Sequence, residues 1–331
     1  MSKAAYWRPD QSGAVRCELC PHRCRIPEGR YGLCKARTNR GGSMALTYYG
    51  QVSSMSVDPI EKKPLFHFLP GSVAFSVGFI GCNMRCPFCQ NWQISQEIPE
   101  FLERYSPESL VKAALLAGVP SIAYTYSEPT VHFEFIQASM SAARTAGLKN
   151  VLVTNGCLES EPARELLALT DAANVDLKTW SADRYEKLLG GKRDRILDFI
   201  RIAASLCHVE ATTLVVPGLS DSLEEMGHIA DFLAGISKDL PLHLSAYHPD
   251  WKYDAPSTRR ENLESLARRA RERLSFVYLG NVHGGGSDTL CPGCGAIVVA
   301  RKGYHVESKA LAVSGSTGRC AACGTSLHII V

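Results

Sequence analysis

The chain has 331 residues, 45% of them hydrophobic and 21% charged, with a formal net charge of +3. This length and composition predict a packed globular core in one large α/β domain with small additions, and the small charge gives no argument for nucleic-acid binding. No apolar run approaches the roughly 20 residues of a membrane span, and the N-terminal MSKAAYWRPDQSG lacks a signal-peptide core. We therefore expect a soluble cytoplasmic protein.

The middle of the chain alternates between apolar, β-rich runs and segments with helical periodicity. The first helical segment, SPESLVKAALLAG, has Ser106 as its N-cap and Gly118 as its stop, and residues 183–206 read as a single later one. The strands are predicted at 72–81, 121–126, 150–156, 173–178, 208–218, 241–249 and 275–280. Six or seven such repeats predict parallel βαβ units in a complete or partial (β/α) barrel, with a doubly wound open sheet as the competing topology.

Polar and charged residues gather where the predicted strands end. The carboxyl ends of parallel barrel strands share one face, where barrel enzymes place their active sites. We therefore expect these side chains to converge on one mouth of the barrel. They are Glu128, Asn155, Asp176, Lys178 and His248.

Three cysteines, Cys82, Cys86 and Cys89, follow the first predicted strand with the spacing C-x3-C-x2-C. Three thiolates can hold an iron–sulfur cluster and leave one iron open to an outside ligand. The alternative is a zinc ion with a fourth ligand such as His67 or His132. The position at a barrel mouth favours the iron–sulfur cluster.

This loop resembles the CxxxCxxC signature of the radical S-adenosylmethionine (radical SAM) superfamily, and Phe88 matches the aromatic that the superfamily places near the adenine. The resemblance implies a [4Fe–4S] cluster on the three cysteines, with SAM chelated to the open iron. An electron from the reduced cluster then cleaves SAM to methionine and a 5′-deoxyadenosyl radical, which abstracts hydrogen from a substrate. An external reductant of the flavodoxin or ferredoxin type would supply the electron.

The resemblance also assigns the polar strand-end residues to SAM. Glu128 matches the acid that contacts the SAM amino group, although the usual G-G-E reads Tyr126-Ser127-Glu128 here. The D-x-K and the late histidine of the related enzymes' SAM pocket match Asp176, Lys178 and His248. Asn155 is expected from its own chemistry to be a hydroxyl partner. Structural alternatives stay open: a strand-end ion pair for Asp176 and Lys178, a helix N-terminal acid for Glu128 and a turn histidine for His248.

The C-terminal CPGC and CAAC knuckles are separated by 25 residues of predicted β-hairpin, a pattern typical of a zinc ribbon. We expect a structural zinc ion on this set, with rubredoxin-like iron as the alternative. The set consists of Cys291, Cys294, Cys320 and Cys323.

An N-terminal set of four cysteines has less regular spacing, which favours a zinc site, with an auxiliary iron–sulfur cluster as the alternative. The set consists of Cys17, Cys20, Cys24 and Cys34. The following segment, residues 56–71, is either a linker packed by Leu65, Phe66 and Phe68 or a strap across the barrel mouth.

The order of these motifs along nearly the whole chain resembles the AmmeMemoRadiSam radical SAM proteins, relatives of the pyruvate formate-lyase activating enzymes. The resemblance implies Memo-like and AMMECR-like partners. We expect an N-terminal metal segment and strap (1–70), a partial (β/α)6 TIM-type barrel (71–287) and a zinc ribbon (288–331). The alternatives to a hydrogen-abstracting enzyme are an activase that installs a glycyl radical on a partner protein, and a non-catalytic metal-binding adaptor or RNA-binding protein.

Overall fold

The computed structural model describes residues 3–100, 102–282, 284 and 286–331. The first part of the chain forms short strands that pair in small antiparallel sheets. They are β1 (Trp7–Pro9), β2 (Val15–Cys17), β3 (Arg25–Ile26), β4 (Arg37–Arg40), β5 (Ser43–Leu46) and β6 (Gln51–Val52). Strands β1, β2 and β3 form one of these sheets, and β4 and β5 form another. The four N-terminal cysteines lie on and between these strands.

Most strands of the middle of the chain are longer and more buried. They are β7 (Ser54–Pro59), β8 (Val73–Gly78), β9 (Glu103–Arg104), β10 (Ser121–Thr125), β11 (Lys149–Thr154), β12 (Ala172–Asp176), β13 (His208–Val215), β14 (Leu242–Ala246) and β15 (Val277–Gly280). All but β9, which pairs with β6, belong to one sheet in the order β15-β14-β13-β12-β11-β10-β8-β7. Parallel pairing joins β8 to β10, β10 to β11, β13 to β14 and β14 to β15. The predicted α/β class with a mostly parallel sheet is confirmed.

Helices follow the parallel strands within the described residues, as the predicted βαβ units require. They are α1 (Trp92–Ser95), α2 (Pro107–Leu116), α3 (Phe133–Thr145), α4 (Ser160–Leu167), α5 (Ala182–Arg184), α6 (Arg193–Leu206), α7 (Leu223–Ala234) and α8 (Arg260–Arg271). Helix α2 starts as predicted, because Ser106 Oγ accepts the backbone N–H of Ser109 at 3.1 Å and Ser109 Oγ accepts that of Ser106 at 2.9 Å. None of these helices is long and apolar enough to cross a membrane.

The prediction of one helical segment over 183–206 was wrong. A π-helical turn over Tyr185–Leu189 follows α5, and Gly190 then takes a left-handed φ of +68° before α6 begins. Glycine adopts this conformation without the Cβ penalty of other residues. The break leaves the carbonyl of Leu189 free to accept the backbone N–H of Arg85 at 2.7 Å, which ties this turn to the cysteine loop.

The chain divides into two compact units. Unit 1 comprises Met1–Val57, Ala74–Ala173 and Ala182–Cys207, and unit 2 comprises Asp58–Val73, Asn174–Ser181 and His208–Val331. The N-terminal cysteines and the three-cysteine loop belong to unit 1, and the C-terminal cysteines belong to unit 2. The division into modules at residues 70 and 287 stays a prediction.

Unit 2 ends in two three-stranded antiparallel sheets. Their strands are β16 (Thr289–Leu290), β17 (Ile297–Lys302), β18 (His305–Ser308), β19 (Leu311–Ser314), β20 (Thr317–Cys320) and β21 (Ser326–Ile330). Phe66 and Tyr278 share one buried apolar cluster with Val298, Leu327 and Ile329 of these sheets.

The segment before β8 is anchored at the amino end of β13 rather than near its carboxyl end. The backbone N–H groups of Phe66 and His67 donate to the buried carboxylate of Glu210 at 3.0 and 2.7 Å. Leu65 and Phe68 are also buried. These contacts fit the packed linker better than the strap across the barrel mouth.

Candidate active site and metal centres

The three-cysteine loop begins where the buried strand β8 ends. Gly81 opens it with a φ of +84°, and a Cβ at this position would overlap the carbonyl oxygen of Cys34. Glycine is therefore required twice over, by the left-handed backbone and by the close approach of the N-terminal segment. Helix α1 closes the loop, because the N–H of Gly81 donates to the carbonyl of Ile94 at 2.8 Å.

Two of the loop's sulfur atoms have polar neighbours suited to ligating thiolates. Cys82 Sγ accepts the backbone N–H of Met84 at 3.3 Å, and Cys89 Sγ lies 3.3 Å from Ser95 Oγ. Burial and, next, the carboxylate of Glu128 raise the pKa of Cys82 well above its ordinary value. A set of three thiols with hydrogen-bond donors at the sulfurs fits an iron–sulfur cluster, whose potential such donors tune.

The histidines proposed as a fourth zinc ligand are engaged elsewhere. His132 Nε2 lies 2.7 Å from the carbonyl oxygen of Ile80, and His67 Nε2 lies 2.6 Å from the Tyr278 hydroxyl in unit 2. Burial lowers the pKa of His132 to about 4 and that of His67 to about 3, so both rings are neutral at pH 7. The structure therefore gives neither histidine to the three-cysteine loop.

Glu128 is 2% exposed and accepts four hydrogen bonds within unit 1. Its Oε1 takes the N–H and hydroxyl of Thr130 at 3.1 and 2.6 Å and the Thr154 hydroxyl at 2.7 Å. Its Oε2 accepts from the backbone N–H of Asn155 at 2.8 Å and from no other described residue. Because a carboxylate oxygen accepts about two hydrogen bonds, Oε2 retains one acceptor position while Oε1 has none. Burial nevertheless raises the pKa of Glu128, although these donors oppose the shift.

The loop that carries Glu128 keeps an unusual backbone in spite of its changed sequence. Tyr126 has a φ of +69°, in the left-handed region that glycine favours. The Nδ2 of Asn91 donates to its carbonyl oxygen at 2.8 Å. The position that departs from glycine therefore still adopts a glycine-type conformation.

Asn155 joins the carboxyl end of β11 to the cysteine loop. Its Nδ2 donates to Asn83 Oδ1 at 3.0 Å and lies 3.6 Å from Cys82 Sγ, and its Oδ1 accepts the N–H of Cys157 at 2.8 Å. Asn83 Nδ2 in turn donates to the carbonyl of Cys157 at 2.7 Å. Asn155 is thus committed to positioning the loop, a contact that the sequence did not predict.

Unit 2 contains the other three residues predicted for the SAM pocket. Lys178 Nζ pairs with Asp176 Oδ2 at 2.8 Å, the strand-end ion pair that was the structural alternative. His248 is exposed, and its Nδ1 lies 3.2 Å from Ser257 Oγ. Their assignment to SAM stays a prediction, as do those of Phe88, which is buried, and of Asn155.

Sequence reasoning missed the partners that hold these side chains in place. Thr130 and Thr154 orient Glu128, and Ser95 contacts Cys89. In unit 2, sequence reasoning also missed Glu210. Burial acts to raise the pKa of this carboxylate, but hydrogen bonds from His208 and His243 hold the pKa well below its ordinary value. The motifs that contain Thr130, Thr154 and Ser95 did not predict these contacts, since each contact depends on how the fold brings the residues together.

The four N-terminal cysteines of unit 1 line one narrow, largely apolar cavity of about 10 Å³. Burial raises the pKa of Cys17, Cys20 and Cys34. In each case a backbone N–H two residues further along the chain opposes that shift, from Leu19, His22 and Ala36 respectively. Such N–H groups stabilise the thiolate, which is the form that binds metals.

The sulfur atoms of the C-terminal cysteines lie closer to one another than those of the N-terminal set. Their four sulfur atoms all lie within 4.8 Å of one another, with Cys291 to Cys323 at 3.5 Å and Cys294 to Cys320 at 3.6 Å. Tetrahedral zinc with bonds of about 2.3 Å places its sulfur ligands about 3.8 Å apart. The geometry therefore fits a single tetrahedral ion. Hydrogen bonds from Thr325 lower the pKa of Cys323 to about 6, which favours the ligating thiolate.

The arginine-rich helix α8 carries acidic partners within and beside it. Arg260 pairs with Glu264 at 2.7 Å, Arg269 pairs with Glu272, and Arg273 pairs with Asp231 at 2.6 Å. This pattern is typical of a solvated helix face and not of a surface for a nucleic-acid backbone.

Comparison with known proteins agrees with the fold and the cysteine loop. The Radical SAM superfamily matches residues 77–233. An uncharacterised protein of Methanocaldococcus jannaschii, MJ0808, is 39% identical over 338 residues that cover all of both chains. The pyruvate formate-lyase 1-activating enzyme of Escherichia coli K12 is 27% identical over 54% of this chain and 75% of its own. Streptococcus suis SuiB bound to its precursor peptide SuiA shares the fold, with a TM-score of 0.52, 17% identity and coverage of 68% of this chain and 52% of that one.

The fold and site define an α/β protein with a three-thiol loop after the first parallel strand of its main sheet. The chain belongs to the radical SAM superfamily and is an enzyme related to the activating enzymes of that superfamily. Membership implies a [4Fe–4S] cluster and SAM as cofactors.

Proposed function

We propose that Cys82, Cys86 and Cys89 hold a [4Fe–4S] cluster, and that the enzyme uses SAM to abstract hydrogen from an organic substrate. When bound, the cluster supplies the electron that cleaves SAM to methionine and a 5′-deoxyadenosyl radical. The observation that carries the proposal is the loop of three thiols, one of which is bonded by the strand-end residue Asn155. Asn155 and its partner Asn83 fix where Cys82 stands, so these residues position the loop.

Glu128 is proposed to bind the SAM ammonium through the remaining acceptor position of Oε2. Its Oε1 is occupied by Thr130 and Thr154, which hold the carboxylate in one orientation. An ammonium donor beside a buried carboxylate forms a charge-assisted hydrogen bond. It would also favour the ionised form of Glu128, whose pKa burial raises.

The likeness of the motif order to the AmmeMemoRadiSam proteins supports assignment to that group, with Memo-like and AMMECR-like proteins as partners. The resemblance to the activating enzymes supports, residue by residue, a role for Lys178 with the SAM carboxylate, for Asp176 and His248 in binding SAM, and for Phe88 with the adenine. The C-terminal cysteines are proposed to hold a structural zinc ion, because their spacing fits one tetrahedral centre.

A second candidate function is an activase that installs a glycyl radical on a partner protein. The 26% and 27% identity to activating enzymes for pyruvate formate-lyase favours it. The two functions differ in the hydrogen donor. A stable protein radical after turnover would indicate an activase, whereas a modified small molecule would indicate the first function.

The test is an anaerobic assay of SAM cleavage. The protein is reconstituted with iron and sulfide, reduced with dithionite and given SAM, and 5′-deoxyadenosine is measured by mass spectrometry. We expect 5′-deoxyadenosine from the wild type and none from the C82A/C86A/C89A variant. Cys207→Ser, a half-buried cysteine outside the three sets, is the matched control and should retain activity.

Unchanged cleavage in the triple variant would contradict the assignment of these cysteines. If the fully loaded wild type gives no 5′-deoxyadenosine, the assay is repeated with a Memo-like or AMMECR-like protein. Failure in that assay as well would favour the non-catalytic adaptor.

A further inference from the structure

The two four-cysteine sets of this chain differ in how their sulfur atoms are arranged. In the C-terminal set all four sulfurs lie within 4.8 Å of one another. No three sulfurs of the described N-terminal set meet that criterion, although all four cysteines line the same cavity. The C-terminal sulfurs therefore converge on one point, whereas the N-terminal sulfurs line a narrow cavity without converging.

This difference matters because the two kinds of centre make different demands. A zinc ion requires four sulfurs on one atom, which places each pair about 3.8 Å apart. A polynuclear iron–sulfur cluster binds its cysteines on different iron atoms, so the sulfurs stand apart around an inorganic core. The N-terminal arrangement has the second geometry.

The wall of the N-terminal cavity also supplies a buried cation. Arg37 lines the cavity and is 1% exposed. Its Nη2 pairs with Glu134 at 2.7 Å and its Nη1 donates to the Ala5 carbonyl at 2.7 Å. Its Nε has no hydrogen-bond partner among the described residues. A buried N–H donor without a partner is costly, and an acceptor in the cavity, such as a cluster sulfur, would remove that cost.

Apolar side chains also line the cavity, with Leu19, Ile26 and Val131 among them, beside the polar His22 and Asn83. It adjoins the first cysteine loop, because Asn83 lines it and the carbonyl of Asn83 lies 2.7 Å from His22 Nε2. Apolar side chains around such a site limit the access of water to iron and sulfide.

We infer that Cys17, Cys20, Cys24 and Cys34 hold a polynuclear iron–sulfur cluster rather than a zinc ion. The enzyme then carries two iron–sulfur centres in unit 1 and a single-ion site in unit 2. This inference concerns the N-terminal site alone, and it stands or falls separately from SAM cleavage.

The experiment measures iron, acid-labile sulfide and zinc in the full-length protein reconstituted under anaerobic conditions. The C82A/C86A/C89A variant should remain brown and retain about half of the wild-type iron and sulfide if both clusters are of the four-iron type. Its Mössbauer spectrum should show the remaining cluster. Loss of all sulfide from this variant, together with a second zinc ion per chain, would overturn the inference.

Two further measurements test the inference even if the triple variant misfolds. In the unmodified, reduced protein, electron paramagnetic resonance should resolve two clusters, only one of which changes when SAM is added. A single SAM-responsive signal, with sulfide sufficient for one cluster, would also overturn the inference. The C20S/C34S variant should lose the SAM-insensitive signal and keep the other, while the Cys207→Ser control keeps both.

Discussion

The Asn155 side chain donates from one nitrogen to Asn83 at 3.0 Å and approaches Cys82 Sγ at 3.6 Å. A residue at the carboxyl end of one strand thereby fixes a cysteine that follows another strand. The position of the proposed cluster consequently depends on side chains that are not among its ligands.

We expect Asn155→Ala to lower the rate of SAM cleavage about 10- to 100-fold, the usual range for a residue that positions a metal ligand. Iron content should remain near that of the wild type, because the three cysteines are intact. Cleavage and cluster content are measured on the same sample. Gln137→Ala, which removes an exposed amide bonded to Glu165, is the control and should leave both unchanged. A wild-type rate in Asn155→Ala would refute the positioning role.

The two oxygens of Glu128 give a prediction about SAM affinity. Glu128→Gln should weaken SAM binding about 10- to 100-fold, because it removes a charged acceptor worth about 1.5–3 kcal/mol. Since Oε1 accepts three donors, the new amide group must occupy the Oε2 position and face the N–H of Asn155. Isothermal titration of the reconstituted protein with SAM provides the affinity.

Thr130→Val is the matched control for Glu128. It removes one donor to Oε1 and leaves Oε2 unchanged. We expect a loss of stability of about 1 kcal/mol with little change in SAM affinity. Equal losses of SAM affinity in the two variants would show that the orientation of Glu128, and not Oε2, is what matters.

Alanine substitutions at Gly81 and Gly147 allow the cost of backbone strain to be measured separately from the cost of steric overlap. Both glycines have a positive φ, +84° and +81°, but a Cβ at Gly147 meets no atom within 4 Å. Gly147→Ala should cost about 1–2 kcal/mol of unfolding free energy. Gly81→Ala should cost about 1–3 kcal/mol more, because its Cβ overlaps the carbonyl of Cys34. Urea unfolding of the two variants without metals measures the difference, and equal losses would contradict the close approach of the two segments.

The buried, neutral ring of His132 should make the free energy of unfolding depend on pH. Its folded-state pKa is about 4, below the ordinary value of about 6.5, so the unfolded chain binds an additional proton between these values. Its contribution to stability is therefore complete above about pH 6.5 and decreases as the pH falls towards 4, by about 2 kcal/mol at pH 5. Urea unfolding between pH 7.5 and 5 gives the slope. In His132→Gln this slope should be smaller by one proton, and an unchanged slope would argue against a buried neutral ring.

The C-terminal cysteines predict a zinc ion that is independent of the first loop. Metal analysis should find about one zinc per chain that survives C82A/C86A/C89A and is lost in C291S/C294S. Loss of this metal should also lower the thermal stability of the protein, because Cys291 and Cys320 belong to the buried cluster around Phe66. Loss of the zinc together with the first cluster would argue against separate sites.

The sequence predicted the order of the main strands and helices well because burial imposes clear periodicities. Strand β8 lies within the predicted 72–81, and α2 begins at its predicted cap. The break at Gly190 was missed because both flanking segments have helical periodicity. Turn chemistry, rather than the apolar pattern, determines where such a segment divides.

Within the site, the sequence identified thiols and charged residues but not their partners. The spacing of Cys82, Cys86 and Cys89 identifies a ligand set because the three belong to one loop. The contacts of Glu128 with Thr154, or of Gly81 with Cys34, join distant parts of the chain and carry no local signal. A single sequence therefore reveals the chemistry of a site more readily than its support.

Arg301 and Phe66 depend on each other for their packing, although they lie far apart in the sequence. The Arg301 guanidinium donates to the Phe66 carbonyl at 2.7 Å across 235 positions of sequence and lies 4.3 Å from the centre of that ring. Substitution of Arg301 leaves the Phe66 carbonyl without this donor, and a smaller side chain at Phe66 leaves an unfilled space against the guanidinium. We expect the two segments to have changed in step among descendants of a common ancestor, so that grafting the C-terminal ribbon of one relative onto another succeeds only when residues 58–73 are transferred with it.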